Sequence, residues 1–227
     1  MTVLLFGATG MIGHGALTAA LHDDRVTRVV TVGRRATGRE HPKLDEIVHT
    51  DLSDLGPLAD RLAQADACLF CLGVSSAGMS EADYRDVTYD LTLSVARQLA
   101  ERNPAMTYVY VSGQGTDRGG RQMWARVKGE TEDALLALPF RAAYNARPGF
   151  IQPVGGAVSR TALYRALYAA MTPLMPVFRR VFARHYLDTD QLGRALVEAG
   201  VVGAPQATLD VPDLQALAAR AERHATA

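Results

Sequence analysis

The chain has 227 residues, of which 48% are hydrophobic, and this length is within the range of one large domain with a full core. Its 24 basic and 24 acidic residues balance, so no net field favours nucleic acid or an anionic membrane. We therefore expect the chain to bind a small-molecule substrate or a protein partner, and no nucleic acid.

Strand-like apolar runs alternate with segments of helical period as far as about residue 150, which is typical of parallel βαβ units. Strands are predicted at Val3–Gly7, Val29–Gly33, Glu46–His49, Ala67–Leu72, Tyr108–Val111 and Ala142–Arg147. Helices are predicted at Met11–His22, Leu55–Ala65, Glu81–Arg102 and Arg121–Leu138. Right-handed crossovers then place helices on both faces of the sheet and ligands at the carboxyl ends of its strands. The predicted fold is therefore α/β, with a doubly wound parallel sheet in a single domain.

The regular alternation ends near residue 150, and an apolar segment follows at Ala162–Phe182. Its arginines, with Pro173 and Pro176, argue against a membrane span, so we interpret it as a helical lid or a homodimer surface. A helix at Asp190–Ala199, a strand near Thr208–Val211 and a helix from Pro212 follow. The predicted parts are a core at 1–153, a lid or interface at 154–187 and a closing helix–strand–helix at 188–227.

The amino terminus passes directly into the apolar residues Val3 to Phe6. It lacks the basic region and long apolar stretch of a secretory signal peptide. This pattern predicts a cytoplasmic protein.

A glycine-rich loop joins the first strand to the first helix with the spacing of a dinucleotide-binding fingerprint. Gly7 permits a tight turn, Gly10 lets the backbone approach a pyrophosphate, and Gly13 lets the helix pack closely on the strand. The start of the helix offers N–H groups and a partial positive charge to the phosphates. The loop residues predicted to contact the dinucleotide are Gly7, Thr9, Gly10, Met11, Ile12 and Gly13. The core at 1–153 is thus predicted to bind a dinucleotide.

The second strand ends in Arg34 and Arg35, where an NAD-specific site usually has Asp or Glu. Guanidinium groups can hold a 2′-phosphate through charge-assisted hydrogen bonds, so NADP(H) is favoured over NAD(H). The alternative is that both are solvated loop arginines of an arginine-rich chain. Residues after the third and fourth strands are predicted to lie along the path of adenine and ribose: Asp51, Leu52, Leu72, Gly73 and Val74.

These motifs resemble the atypical short-chain dehydrogenase/reductase families, whose fold is the Rossmann fold, and especially NmrA-like and epimerase/dehydratase-like proteins. The resemblance is good over residues 1–153 and loose beyond them. It implies that Ser112, Lys128 and the run Arg147, Pro148 and Gly149 match the family's serine, lysine and Arg-Pro-Gly. The family's catalytic tyrosine, four residues before the lysine, is replaced here by Trp124.

Tyrosine donates a proton to a carbonyl oxygen as hydride arrives, whereas an indole N–H donates only hydrogen bonds. Trp124 is expected to shape the pocket beside the nicotinamide, because it shares a helical face with Lys128. Lys128 is expected to contact ribose hydroxyls, and Ser112 to hydrogen-bond a substrate oxygen. An exposed helix lysine and a turn serine are the alternative interpretations of these two residues.

Three functions remain open from the sequence. The first is an NADPH-dependent oxidoreductase that acts on a conjugated acceptor such as a quinone, a flavin or an enone. The second is a non-catalytic NmrA-like regulator that reports redox state to a protein partner. The third, epimerase or dehydratase chemistry, is less favoured because it also normally uses the missing tyrosine.

Other chemistry-bearing residues are interpreted more simply. Cys68 and Cys71 lie three apart in a predicted buried strand, so they point to opposite faces and are expected to be core residues. In another setting their C-x-x-C spacing would suggest a redox pair or half a zinc site. No H-E-x-x-H motif and no carboxylate cluster with metal-ligand spacing is present, and no metal is predicted. Tyr84 and Tyr89 are expected in the core. The loop at Gly113–Arg121 is expected to close over a ligand or to be disordered without one.

Overall fold

The computed structural model describes residues 1–156 and 185–225. Its strands are β1 (Thr2–Phe6), β2 (Arg28–Gly33), β3 (Leu44–Val48), β4 (Ala67–Phe70), β5 (Thr107–Val111), β6 (Ala142–Ala146), β7 (Phe150–Gln152), β8 (Tyr186–Asp188) and β9 (Thr208–Leu209). Its helices are α1 (Met11–His22), α2 (Ala59–Leu62), α3 (Glu81–Arg85), α4 (Leu91–Arg102), α5 (Met123–Leu136), α6 (Thr189–Val201) and α7 (Val211–Ala225). A 3₁₀ turn at Gly56–Leu58 precedes α2, and a π-helical turn at Asp86–Asp90 joins α3 to α4.

Seven of these strands form one parallel sheet in the order β3-β2-β1-β4-β5-β6-β9. The chain moves outward from β1 to β3 and then returns to pair β4 with the other side of β1. This reversal opens a crevice at the carboxyl ends of β1 and β4, where doubly wound sheets bind ligands. The predicted α/β fold with a doubly wound parallel sheet is confirmed.

Each face of the sheet is covered by its own apolar cluster. Leu5 and Val29 pack with residues of α1, α6 and α7, whereas Phe6 and Tyr108 pack with residues of α4. The two faces alternate along the buried strands because successive side chains of a strand point in opposite directions.

The two cysteines follow this alternation. Cys68 belongs to the cluster beneath α4, and Cys71 packs against the cluster beneath α1. Both thiols are free, and burial raises their pKa, that of Cys71 to about 12. They therefore lie on opposite faces as core residues, as the sequence predicted.

Two glycines bring the backbones of α1 and α6 into contact. A Cβ on Gly15 would lie 2.2 Å from the carbonyl oxygen of Thr189, and one on Gly193 would lie 2.3 Å from that of Gly15. Such distances exclude any side chain at either position. The close contact places the start of α6 beside the first half of α1.

A buried carboxylate joins α6 to distant parts of the chain. Glu198 is fully buried and forms ion pairs with Arg25, at 2.7 Å, and with Arg220 of α7, at 2.5 Å. Arg25 lies between α1 and β2 and also pairs with Asp23 at 2.6 Å. These partners compensate a charge that is costly to bury alone.

Several predicted elements differ from the structure. The helix predicted at Leu55–Ala65 is a 3₁₀ turn followed by the four residues of α2, and the helix predicted at Glu81–Arg102 is interrupted by the π-helical turn. β7 and β8 form a two-stranded parallel sheet that the sequence did not predict. The segment predicted as a lid or dimer surface, Ala162–Phe182, lies outside the described residues.

No helix within 1–156 or 185–225 combines the length and the apolar character that crossing a membrane requires.

Candidate dinucleotide and substrate site

The loop after β1 has the steric features that a tight phosphate-binding turn requires. Gly7 has a φ of +80°, and a Cβ there would lie 2.7 Å from the carbonyl carbon of Cys71. A Cβ on Gly13 would lie 2.0 Å from the carbonyl oxygen of Gly7. Gly10 begins α1 without a side-chain cap, which leaves the N–H groups of the first turn available to an anion.

A cavity of about 210 Å³ lies beside this loop, at the carboxyl ends of β1 and β2. It is lined by Gly7, Ala8, Thr9, Thr31, Val32, Gly33, Arg34, Arg35, Thr37, Leu52 and Leu72. The fold thus brings the glycine loop together with both predicted arginines. Of the other residues predicted near adenine and ribose, Leu52 and Leu72 line the cavity, whereas Asp51, Gly73 and Val74 are exposed outside its lining.

The two arginines are available to a ligand. Arg34 and Arg35 are exposed at the cavity, and neither guanidinium has a hydrogen-bond or ion-pair partner among the described residues. Asp51 is engaged elsewhere, because its carboxylate accepts hydrogen bonds from the Oγ–H, at 2.5 Å, and the N–H of Ser53. The Ser53 hydroxyl lowers the pKa of Asp51. The only acid predicted for this half of the site is therefore a turn residue.

Ser112, at the end of β5, is part of a buried pair of hydroxyls. Its Oγ lies 3.0 Å from Oγ1 of Thr116, which lies 2.8 Å from the carbonyl oxygen of Gly113. A carbonyl only accepts, so Thr116 donates to Gly113 and Ser112 donates to Thr116. Ser112 therefore presents lone pairs to the site. Sequence reasoning missed Thr116, whose only signal was a hydroxyl four residues after Ser112.

Lys128 projects from α5 toward the end of β5. Its Nζ lies 3.4 Å from the carbonyl oxygen of Val111, at long hydrogen-bond distance, and 5.3 Å from the ring centre of Tyr110. Burial lowers the pKa of Lys128 to about 8, and the carboxylate of Glu132, one helical turn later, opposes this shift. The ammonium group is thus held in the crevice beside the residue that precedes Ser112.

Trp124 lies one turn before Lys128 on α5, and its indole N–H is already used. Nε1 donates to Oε1 of Gln122 at 2.6 Å, and a Cβ on Gly115 would lie 3.4 Å from the indole ring. The ring therefore packs against the loop after β5. Its polar edge is turned to Gln122, which leaves the apolar ring as the surface that it can offer.

The nearby tyrosines are not substitutes for the missing one. Tyr84 is 2% exposed, and burial raises its pKa. The ring of Tyr89 packs on the cluster beneath α4, under the guanidinium of Arg85, whose carbon lies 4.3 Å from the ring centre. Tyr84 is thus a core residue, as expected, whereas Tyr89 is half-buried against the cluster.

The loop at Gly113–Arg121 is neither disordered nor open in this structure. Backbone of Arg118 touches α5 at Gly129, where a Cβ would lie 2.5 Å from its nitrogen, and its side chain pairs with Asp133 at 3.0 Å. Asp117 stabilises the turn by accepting a hydrogen bond from the N–H of Gly119. The expectation of a disordered segment is therefore wrong, because it ignored contacts with a helix that follows in sequence. That the loop closes over a ligand stays a prediction.

The run Arg147, Pro148 and Gly149 follows β6 and is not part of the cavity lining beside the glycine loop. The guanidinium of Arg147 makes a two-pronged ion pair with buried Glu132, at 3.0 and 2.5 Å, which raises the pKa of Arg147. The carbonyl of Pro148 accepts from the N–H of Gln114, and a Cβ on Gly149 would lie 2.6 Å from Oε1 of that glutamine. The structure thus places the Arg147 side chain against α5 rather than in the cavity beside Arg34 and Arg35.

Comparison with known proteins finds fungal relatives in sequence and solved structures that share the fold. The protein of Emericella nidulans named "Protein fmp52, mitochondrial" is 30% identical over 216 residues, covering 88% of this chain and 87% of that protein. The structure of MoeE5 in complex with UDP-glucose and NAD matches with a TM-score of 0.68 and 16% identity, over 97% of this chain and 81% of that one. A short-chain dehydrogenase/reductase of Saccharomyces cerevisiae matches with a TM-score of 0.65 and 15% identity, over 96% of this chain and 98% of that one. At such identities the structures show a shared fold.

The name of the fungal relative contradicts the predicted cytoplasmic location, because that protein is called mitochondrial. The prediction rested on the lack of a secretory signal pattern. That pattern concerns export alone and does not distinguish the cytoplasm from a mitochondrion, so the inference was wrong.

The resemblance to atypical short-chain dehydrogenase/reductases is confirmed. The model of the NAD dependent epimerase/dehydratase family matches residues 3–117, which is half of the chain and includes β1 to β5 with the glycine loop. The match supports a nicotinamide dinucleotide as the cofactor. Together with the relative that is 30% identical over most of the chain, it shows that the chain belongs to the NAD dependent epimerase/dehydratase family.

Proposed function

We propose that the protein is an oxidoreductase that binds NADP(H) and reduces a small conjugated acceptor, such as a quinone, a flavin or an enone. The observation that carries this proposal is the cavity in which the glycine loop meets Arg34 and Arg35. Guanidinium groups without other partners in the described residues are suited to a 2′-phosphate, whereas a 2′-hydroxyl is usually held by a carboxylate.

Residues of this chain on both sides of the crevice are suited to hold a nicotinamide dinucleotide. The glycine loop and the first turn of α1 would hold the pyrophosphate, Arg34 and Arg35 the 2′-phosphate, and Lys128 the ribose hydroxyls. When bound, the cofactor supplies a hydride to the acceptor. Lys128 is suited to the ribose hydroxyls because, among the described residues, its Nζ makes a single hydrogen bond, a long one to the Val111 carbonyl.

The choice of a conjugated acceptor follows from the hydrogen bonds of Trp124 and Ser112. The indole N–H donates to Gln122 and the Ser112 hydroxyl donates to Thr116, so neither is poised to protonate a carbonyl oxygen. An acceptor that spreads the new charge over a conjugated system can take its proton from solvent. The indole ring offers such a flat molecule an apolar stacking surface.

The test measures binding first and turnover second. Calorimetry should give a lower Kd for NADPH than for NADH, and replacing Arg34 and Arg35 with alanine should weaken NADPH selectively. Arg97→Ala, at an exposed arginine of α4, is the matched control and should change neither affinity. The purified protein should reduce quinones or enones with NADPH and leave simple aliphatic ketones almost untouched. Equal Kd values for the two cofactors would overturn the NADP(H) assignment.

A second candidate, a redox-sensing regulator that binds the dinucleotide without turnover, is favoured by the same two hydrogen bonds. If no acceptor of the panel is reduced while NADPH still binds, this candidate replaces the first. A partner that binds the NADPH-loaded and NADP⁺-loaded protein differently would then support it.

A further inference from the structure

The loop that carries Arg34 and Arg35 is fastened by a carboxylate of the neighbouring strand. The N–H of Thr37 donates to Oε2 of Glu46 at 2.6 Å, and its hydroxyl donates to Oε1 at 3.0 Å. Both oxygens of Glu46 are thus occupied by one residue. Thr37 itself lines the cavity with the two arginines.

The position of Glu46 in the sheet directs it to this loop. Glu46 pairs in register with Thr31 of β2, which is 4% exposed and lines the cavity. Side chains of paired residues in adjacent parallel strands point to the same face of the sheet. The Glu46 carboxylate therefore lies on the same face of the sheet as Thr31, within reach of a loop two to three residues beyond the arginines.

A second tie holds the far end of the same loop. The N–H of Arg39 donates to the Thr37 hydroxyl oxygen at 3.2 Å, and its guanidinium donates to Oγ1 of Thr18 on α1 at 2.8 Å. Between the two ties, Gly38 has a φ of +74°, and a Cβ placed on it would meet no atom within 4 Å. Gly38 therefore has open space around it, and the shape of the loop depends on the hydrogen bonds of Thr37 and Arg39 on either side.

We infer that Glu46 is a positioning residue for cofactor specificity: through Thr37 it fixes the turn that aims Arg34 and Arg35 at the 2′-phosphate. This inference rests on the proposed NADP(H) function and assigns it a residue that does not touch the cofactor. Exposed arginines on an untethered loop would have to be ordered when the ligand binds, and that ordering reduces affinity. The carboxylate orders the loop in advance, as outer hydrogen-bond partners orient the direct ligands of a site.

The charge of Glu46 strengthens its hold on the loop. Hydrogen bonds to an ionised acceptor are roughly twice as strong as those between neutral groups, and both carboxylate oxygens accept from Thr37. Weakening these bonds should therefore release the loop and reduce NADPH binding. NADH, which lacks the 2′-phosphate, should bind as it does to the parent.

The experiment measures Kd for NADPH and NADH by calorimetry in the full chain with Glu46→Gln and Thr37→Val. Glu46→Gln removes the charge and one of the two acceptor oxygens, and Thr37→Val removes the hydroxyl donor but keeps the N–H, so in each case we expect NADPH to bind about tenfold more weakly and NADH to stay within about twofold of the parent. Thr37→Ser, which keeps both donors, should restore the parent ratio. Glu40→Gln, at an exposed glutamate of the same loop, is the matched control. Thermal melts identify any variant that fails to fold, in which case the other variant decides.

The outcomes separate this inference from the function on which it rests. If the parent prefers NADPH and loses that preference when Arg34 and Arg35 are replaced, but keeps it in Glu46→Gln and Thr37→Val, the inference is overturned and the proposed function stands. Equal weakening of both cofactors would show a general structural role and would also overturn it. A parent that binds both cofactors equally overturns the inference and the NADP(H) assignment together.

Discussion

Replacing Glu198 with alanine should destabilise the fold more than any comparable change to a surface glutamate. The carboxylate is fully buried, and its removal leaves the guanidinium groups of Arg25 and Arg220 without their shared partner. Removing one member of a buried ion pair costs about 3–5 kcal/mol. We expect the lower end, because Arg25 keeps Asp23, Arg220 keeps the Gly203 carbonyl, and the two side chains are 28% and 33% exposed.

The measurement is urea unfolding at neutral pH, with thermal melts in parallel. A loss of about 3 kcal/mol corresponds to a fall in Tm of roughly 6–12 °C for a chain of this size. Glu222→Ala is the control, because Glu222 forms a 2.8 Å ion pair with Arg194 but is 60% exposed, and such pairs contribute about 0–1 kcal/mol. If Glu198→Ala and Glu222→Ala unfolded at the same urea concentration, the reasoning about the buried carboxylate would be refuted.

Three further changes test the site. Burial lowers the Lys128 pKa from 10.5 to about 8, so between these pH values the unfolded chain binds more protons than the folded one and the free energy of unfolding should rise with pH. Lys128→Met should therefore be more stable than the parent below pH 8, by up to about 3 kcal/mol. Urea unfolding should show this difference shrinking as the pH approaches 10.5. Gly13→Ala should abolish dinucleotide binding in calorimetry, since its Cβ would lie 2.0 Å from the Gly7 carbonyl oxygen, whereas Gly73→Ala, with open space around it, should bind like the parent. Trp124→Phe should keep quinone reduction within about tenfold if the indole acts as an apolar surface, because its N–H is already used by a neighbour; complete loss of turnover with intact NADPH binding would contradict that role.

Local patterns predicted the parts of the molecule that depend on neighbouring residues. The bounds of α1, Met11–His22, are those predicted, because the helix starts at the glycine loop and its apolar period has no interruption. The steric roles of Gly7 and Gly13 were likewise visible in their spacing.

The features that sequence reasoning missed depend on residues distant in the chain. β7 and β8 are three residues each and pair Phe150 with Tyr186, a contact that no local period reveals. The partner of Arg147 is Glu132, on a helix that packs beside β6 only in the folded chain. Local alternation also carried no sign that Glu46, in the edge strand β3, accepts hydrogen bonds from the loop that joins β2 to β3.

The contact between Gly15 and Gly193 restricts how the chain can vary. Because the backbones of α1 and α6 touch there, a methyl group at either position would force the two helices apart. The shift would move the start of α1, and with it the phosphate-binding turn, and also Thr189, whose hydroxyl bonds the N–H of Val154 at 3.0 Å. The two glycines should therefore be retained or lost together among relatives, although 178 positions separate them in sequence.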